Sequence, residues 1–420
     1  MQNSQRLESE VRGYCRSFPA TFVSGEGAIL TDEDQQHYLD FLSGAGSLNY
    51  GHNNPLLKAP LMEYIENNGV THGLDMATNA KEKFIGYFEK YILKPRNLNY
   101  KLQFTGPTGT NTVEAAIKLA QIVTGRTNII TFTNAYHGHT KGALRLTANE
   151  AYRKGLESDL NQATTFMPFF GYVEGDFSSA DYLRKMLTDK GSGIDKPAAI
   201  ILETIQGEGG VNIASNKWLQ KIRKITQEND VLLIIDDIQV GCGRTGKFFS
   251  FEHAGIVPDM VTLSKSLSGY GLPMSLLLFR PELDKWQPGQ HTGTFRGNNL
   301  AFITAAEALR KYWDDSEFES EIVLRSDIMM SNLKRIRQTF PEEILEVRGK
   351  GMIAAIEFSD PKVAANISRA AFENHLIIET CGAEGNVLKL LPPLNIPQHL
   401  LKKGMEIIEN AIKNVLVLES

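Results

Sequence analysis

The sequence predicts an α/β protein, with a large domain built on a mostly parallel sheet and a smaller α+β domain beside it. Two observations carry this expectation. Between about residues 75 and 305, helical stretches alternate with the short apolar runs Asn128–Phe132, Ala198–Leu202, Leu232–Ile235 and Met260–Leu263. That rhythm is the one a parallel sheet covered by helices on both faces produces. Further along, the runs IAAIEF and LIIET have strand length and His399–Ile412 has helical periodicity, so the C-terminal part follows a different pattern. A chain of 420 residues with 42% hydrophobic content can bury sizeable cores in more than one domain.

Taken in order, the polar start MQNSQRLESEVRGYC lacks the apolar centre of a signal peptide. The segment HYLDFLSGAGSLNYGHNNP begins as a short strand and dissolves into Gly/Asn/Pro turns, and Leu56–Asn68 is helical in pattern. Leu300–Lys311 and Glu317–Arg337 read as one long polar helix. The expected division is an N-terminal segment, residues 1–70, packing with the small domain; a large domain, 71–305; and the small C-terminal domain, 306–420. No internal repeat or long linker interrupts this plan.

Composition narrows the function. A formal charge of −5, with 44 basic and 49 acidic side chains and no basic run, gives no footing for nucleic acid. Cys15, Cys242 and Cys381 are far apart and form neither a CxxC pair nor a metal-ligand spacing. A reducing compartment and no metal are expected. With no run of 18 apolar residues to span a bilayer, the expected location is the cytoplasm.

The chemistry gathers at strand ends. Lys265 follows the apolar VTLS and precedes the glycine-rich SLSGYG, while Asp236 ends the run LLIID. Most lysines are merely solvated, but two neighbouring strands would deliver this amine and this carboxylate to one sheet edge. A lysine amine there can condense with the aldehyde of pyridoxal 5'-phosphate. A carboxylate at the end of an apolar run needs a buried partner, and a protonated pyridine nitrogen supplies one, keeping the ring an electron sink. Asp237 reads as structural or solvated, and Gln239 can reach the ring's phenolic oxygen.

Gly106–Asn111 precedes the helical TVEAAIKLAQIV, with Asn111 and Glu114 spaced as a capping box. Free N–H groups at such a start suit a phosphate, and Gly109 and Thr110 allow close approach and add a hydroxyl; the alternative is an ordinary capped helix. No GK[ST] triplet follows, so this is not a P-loop. In NAYHGHT, Tyr136 beside Gly138 can lie against a flat ring, while His137 and His139 read as ordinary hydrogen-bonding histidines rather than metal ligands. ETIQGEGG, Glu203–Gly210, offers carboxylates to close or gate the site, or else a charged turn. In HTGTFRGN, Thr294 offers a further hydroxyl and Arg296 either a carboxylate-binding fork or a surface charge.

In their order, DFLSGAGSLNYGHNNP, GPTGTNTVEAAIKLA, AYHGHT, ETIQGEGG, IIDDIQVGCGRTG, LSKSLSGYGLP and GTFRGN span nearly the whole chain. The chain resembles the class III, or ornithine/4-aminobutyrate-type, aminotransferases of pyridoxal-phosphate fold type I. The resemblance implies a large domain with a mostly parallel seven-stranded sheet. It implies that Lys265 carries the cofactor and shuttles the proton, that Asp236 pairs with the pyridine nitrogen and that Gln239 contacts the ring oxygen. It also implies phosphate contacts from Gly109, Thr110 and Asn111, and ring contacts from Tyr136 and His137. Thr294 then reaches the phosphate of a neighbouring subunit, so two chains build each site of a homodimer or a dimer of dimers.

Within the family, Thr71–Phe84, GTNTVEAAIKLA and Val387–Leu394 are similar to members that convert L-aspartate 4-semialdehyde and L-glutamate into L-2,4-diaminobutyrate and 2-oxoglutarate, the opening step of ectoine synthesis. The same resemblance marks departures. Dicarboxylate-handling relatives often pair an arginine at the Lys389 position with the acid at Glu208, and several have a carboxylate-binding arginine at the His139 position. Arg296, where relatives often have glycine, is the expected compensation, which makes Glu208, Arg296 and Lys389 the expected substrate contacts. Another ω-aminotransferase, acting on ornithine or 4-aminobutyrate, and an aminomutase of the glutamate-semialdehyde type share the fold and the lysine.

Overall fold

The structure is a computed structural model and describes residues 3–156 and 163–418. Seven strands form the central sheet, in the spatial order Lys101–Gly106, Ser275–Phe279, Met260–Leu263, Leu232–Asp236, Ala199–Leu202, Ile129–Phe132 and Thr164–Met167. All neighbours pair in parallel except Ser275–Phe279, which runs antiparallel to both of its partners. The inner strands are buried along their length, as helices on both faces require, and so they read as unbroken apolar runs. The edge strands Lys101–Gly106 and Thr164–Met167 are only partly buried. Their polar residues hid them from the sequence reading.

The helix over the sheet, Gly109–Thr124, buries Val113, Ala116, Ile117, Leu119 and Ala120. It begins earlier than the capping pattern of Asn111 and Glu114 predicted. Thr108 is the N-cap, and Asn111 Oδ1 accepts from the Thr108 N–H at 3.1 Å and from its hydroxyl at 2.8 Å. Glu114 is thereby free to accept from Ala143 N at 3.1 Å. The single long polar helix expected over 300–337 is two helices, Asn299–Tyr312 and Glu317–Thr339. The first is buried from Ala301 to Leu309 rather than polar. Trp313 ends it, with its indole donating to Tyr50 Oη at 2.8 Å, and the Asp315 carboxylate accepts from Glu317 N at 2.8 Å to start the second.

The two chain ends are joined through sheets. The N-terminal strands Phe22–Glu26, Ile29–Asp32 and His37–Asp40 are extended by Leu376–Ile377, which lies parallel to His37–Asp40. A second, antiparallel sheet contains Ile344–Lys350, Ile353–Phe358, Val387–Leu390 and Glu379–Cys381. LIIET, expected as one strand, therefore serves both sheets, parting at Ile378. Arg244 is fully buried and donates to Met352 O, Pro392 O and Asn49 Oδ1, tying both ends of the chain to the loop after the central strand. The last helix is Gln398–Leu418, longer than its periodicity suggested. No described helix is long and apolar enough to cross a membrane.

Candidate active site

Parallel strands expose their carboxyl ends together, and there two neighbouring strands deliver Asp236 and Lys265. Lys265 has φ +48°, a left-handed conformation that costs a branched or long-chain residue roughly 1 kcal/mol or more. Its neighbours hold it there: the Ser264 hydroxyl donates to Met274 O and the Ser266 hydroxyl to Gly46 O, both at 2.8 Å. Lys265 Nζ donates to Ala45 O at 2.9 Å, and burial pushes its ammonium below the ordinary lysine range. That shift favours the neutral amine a nucleophile or base requires.

A cavity of about 300 Å³ opens beside it, lined by Gly109, Thr110, Tyr136, His137, His139, Glu203, Glu208, Asp236, Gln239 and Lys265 among others. Asp236 is fixed at both oxygens: His137 Nδ1 lies 2.6 Å from Oδ2, and the Thr262 hydroxyl at 3.0 Å and Ile238 N at 3.2 Å donate to Oδ1. Gln239 donates through Nε2 to Ala45 O and to Glu208 Oε1. The first turn of Gly109–Thr124 faces the cavity with Gly109 and Thr110. Gly138, at φ +129°, lets the chain pass Thr110; a Cβ there would stand 2.6 Å from the Thr110 hydroxyl.

Other predicted residues lie elsewhere. Asn111 is absent from the cavity lining, and its side-chain oxygen serves the cap. Thr294 and Arg296 form a short turn that does not line the cavity, and Arg296 is ion-paired with Asp75. Lys389 stands behind the wall rather than in it: its fully buried Nζ is 2.6 Å from Glu208 Oε1 and 3.1 Å from Glu379 Oε1. Burial opposes its charge, yet the two carboxylates hold it well above the ordinary lysine range. Asp237 is buried, not solvated, and accepts from Ser250 N at 2.9 Å.

Sequence reasoning gave Glu203 no distinct role. Its carboxyl accepts from Tyr136 N at 3.0 Å and Gly207 N at 3.2 Å, and burial raises its pKa to about 7, with Asp236 adding to the rise and His137 opposing it. Tyr152 was also missed; it packs edge-on against Tyr136 and His139 at 5.6 and 4.9 Å between ring centres. Glu379 went unnoticed although ETCGAEGNVLKL has the form of a hairpin, whose pairing faces Glu379 with Lys389.

Residues 14–412 match the family described as aminotransferase class-III. The chain belongs to the class III aminotransferases. It is 53% identical over 412 residues to the diaminobutyrate–2-oxoglutarate transaminase of Bordetella parapertussis, covering 98% of this chain and 94% of that protein. Its identity with the enzyme of the same description from Halomonas elongata is 53% over 411 residues, covering 97% and 98%. Among solved structures, ornithine aminotransferase from Toxoplasma gondii ME49 superposes with a TM-score of 0.83 at 25% identity, covering 98% of this chain and 94% of that one. An S-selective transaminase from Bacillus megaterium shares the fold with a TM-score of 0.87 at 24% identity, covering 98% and 96%.

The cofactor of this class III aminotransferase is pyridoxal phosphate, and the cavity fits it. Two buried polar atoms on its lining residues, His137 Nε2 and Gln239 Oε1, have no hydrogen-bond partner among the described residues. The open helix start suits a phosphate, the half-buried amine of Lys265 suits an aldehyde, and the fixed carboxylate of Asp236 suits a protonated ring nitrogen.

Proposed function

We propose that this aminotransferase acts in the cytoplasm and interconverts L-aspartate 4-semialdehyde and L-glutamate with L-2,4-diaminobutyrate and 2-oxoglutarate. The observation that carries the reading is the identity of 53%, over nearly the full length of both chains, to relatives described as diaminobutyrate–2-oxoglutarate transaminases. Pyridoxal phosphate, when bound, supplies an aldehyde that takes up the amino group and a ring that accommodates the electron pair left by the breaking C–H bond at the carbon bearing that amine. Lys265 would hold the cofactor, and its amine would move the proton at the carbon bearing the reacting amine, Cα of glutamate and C4 of diaminobutyrate. Asp236, oriented by His137 and Thr262, keeps the ring nitrogen protonated.

Gly109 and Thr110 receive the phosphate, with Asn111 shaping their turn. Tyr136 would lie along the ring and Gln239 beside its oxygen, while Glu208 would receive the non-reacting 2-amino group of diaminobutyrate. Thr294, outside the cavity of its own chain, serves the phosphate of a partner subunit. The division into residues 1–70, 71–305 and 306–420 goes with this reading, supported by the pairing of Leu376–Ile377 with His37–Asp40.

The test is to load the purified protein with pyridoxal phosphate, supply 2-oxoglutarate with diaminobutyrate, ornithine or 4-aminobutyrate, and quantify glutamate. Diaminobutyrate is expected to give the highest kcat/KM. Equal or better use of ornithine or 4-aminobutyrate overturns the substrate assignment.

A further inference from the structure

The two amino donors of the proposed reaction share one dimension. In diaminobutyrate the carboxylate carbon stands three bonds from C4, which bears the reacting amine; in glutamate the distal carboxylate carbon stands three bonds from C2, which bears it there. One carboxylate subsite at a fixed reach can therefore serve both half-reactions. In diaminobutyrate the carboxylate and the 2-amino group share a carbon, so with the ammonium on Glu208 the donor to the carboxylate must border Glu208 as well. A recess beside the main cavity does so: it shares Tyr136 and Glu208 with that cavity and adds Asn149 and Tyr152. Among the described residues no arginine lines either space, so no guanidinium fork is on hand for the carboxylate. Asn149 is spent on its own turn, its Oδ1 accepting from Ala151 N at 2.9 Å and its Nδ2 directed to Ala383 O at 3.5 Å. Tyr152 Oη has no hydrogen-bond partner among the described residues. Its ring is set edge-on to Tyr136 and His139, at 5.6 and 4.9 Å between centres. Burial, and after it the charge of Glu208, push its pKa above the ordinary phenol value, so the hydroxyl keeps its proton and can donate it.

We infer that Tyr152 is a substrate-contacting specificity residue: its hydroxyl donates to the carboxylate that both amino donors carry three bonds from the reacting carbon. The inference rests on the diaminobutyrate reading and deepens it. Glu208 and Tyr152 then divide the two groups on C2 of diaminobutyrate, the ammonium going to the carboxylate and the carboxylate to the phenol. The charge of Glu208 beside a substrate carboxylate is offset by the buried Lys389, whose Nζ is 2.6 Å from Glu208 Oε1. Glutamate has no amine at the corresponding carbon, so its distal carboxylate relies on the same phenol without that anchor. Ornithine carries its carboxylate one bond further from its reacting carbon and overruns the donor.

The experiment uses the pyridoxal-phosphate-loaded enzyme and follows single half-reactions by cofactor absorbance. Diaminobutyrate is compared with 1,3-diaminopropane, the same molecule without its carboxylate, and glutamate with L-norvaline, which has a methyl group in place of the distal carboxylate. Tyr152→Phe removes one oxygen and keeps the ring between Tyr136 and His139. It is expected to lower kcat/KM for diaminobutyrate and for glutamate by roughly tenfold or more, as loss of a hydrogen bond to a charged group implies, and to leave 1,3-diaminopropane and L-norvaline within about twofold. An equal fall with and without the carboxylate, a fall confined to one of the two donors, or no fall overturns the inference. A second measurement needs no variant: the unaltered enzyme is expected to prefer diaminobutyrate to 1,3-diaminopropane by at least about tenfold, and parity overturns the inference. Preference of the unaltered enzyme for ornithine or 4-aminobutyrate over diaminobutyrate instead removes the substrate reading. Glutamate is the donor in either case, so its comparison with L-norvaline still tests Tyr152.

Discussion

Lys265 is held by its backbone as well as its side chain: a left-handed residue at a strand end, pinned on both sides by serine hydroxyls. The amine itself donates a hydrogen bond to Ala45 O. Lys265→Ala is therefore expected to leave the fold intact and lower turnover by at least about 10³-fold, as loss of the proton-transferring group implies. Far-ultraviolet circular dichroism and glutamate release measure the two sides of that expectation, and turnover within tenfold of the unaltered enzyme would refute the role. At this scale much of the site was legible, because Lys265, Asp236, Tyr136 and Gln239 each sit in a short motif at a strand end. Glu379 was not, because its contact with Lys389 comes from what lies opposite it in the sheet. Asn111 was misassigned because Thr108 and Asn111 are both capping residues three apart, and only the backbone reveals which begins the helix.

Between elements, Asp237 fastens the end of Leu232–Asp236 to the turn Ser250–Ala254 through Ser250 N. Burial raises its folded pKa to about 7 from an ordinary 3.8, and Ser250 only partly offsets the rise. The folded state thus holds this proton more tightly than the unfolded chain. Stability attributable to the group is full below the ordinary value and is lost as pH rises to about 7. Asp237→Asn removes the titration, so its Tm relative to the unaltered protein is expected to climb between pH 4 and pH 7 and then level off, by a few degrees. Thermal melting across that range measures it, and a difference independent of pH would refute it. The elements themselves were legible where burial is two-sided, since inner strands cannot tolerate polar residues. They were obscure at the sheet edges, where water satisfies one face, and in LIIET, where a single apolar run is shared by two sheets.

Across the whole molecule, the segments 70–76 and 293–298 form one face. Gly73 N donates to Gly297 O at 3.1 Å, His72 packs edge-on to Phe295, and Arg296 is paired with Asp75. Val70, Leu74, Met76 and Phe295 are exposed there, Phe295 by 64%, an apolar grouping that water disfavours and a second subunit would cover. Thr294 sits in the middle of this face, so a partner docked on it can receive the Thr294 hydroxyl in its own phosphate site. The expected particle is a dimer or a dimer of dimers by light scattering, and Phe295→Asp is expected to give smaller particles with little turnover. Mixing separates action in trans from mere assembly. Lys265→Ala has no functional lysine, and Thr294→Ala is expected to be impaired at limiting cofactor. In a hybrid of the two, trans action puts both defects in one site and leaves the other intact, so mixing restores activity. If Thr294 serves its own chain, each hybrid site keeps one defect and mixing restores nothing.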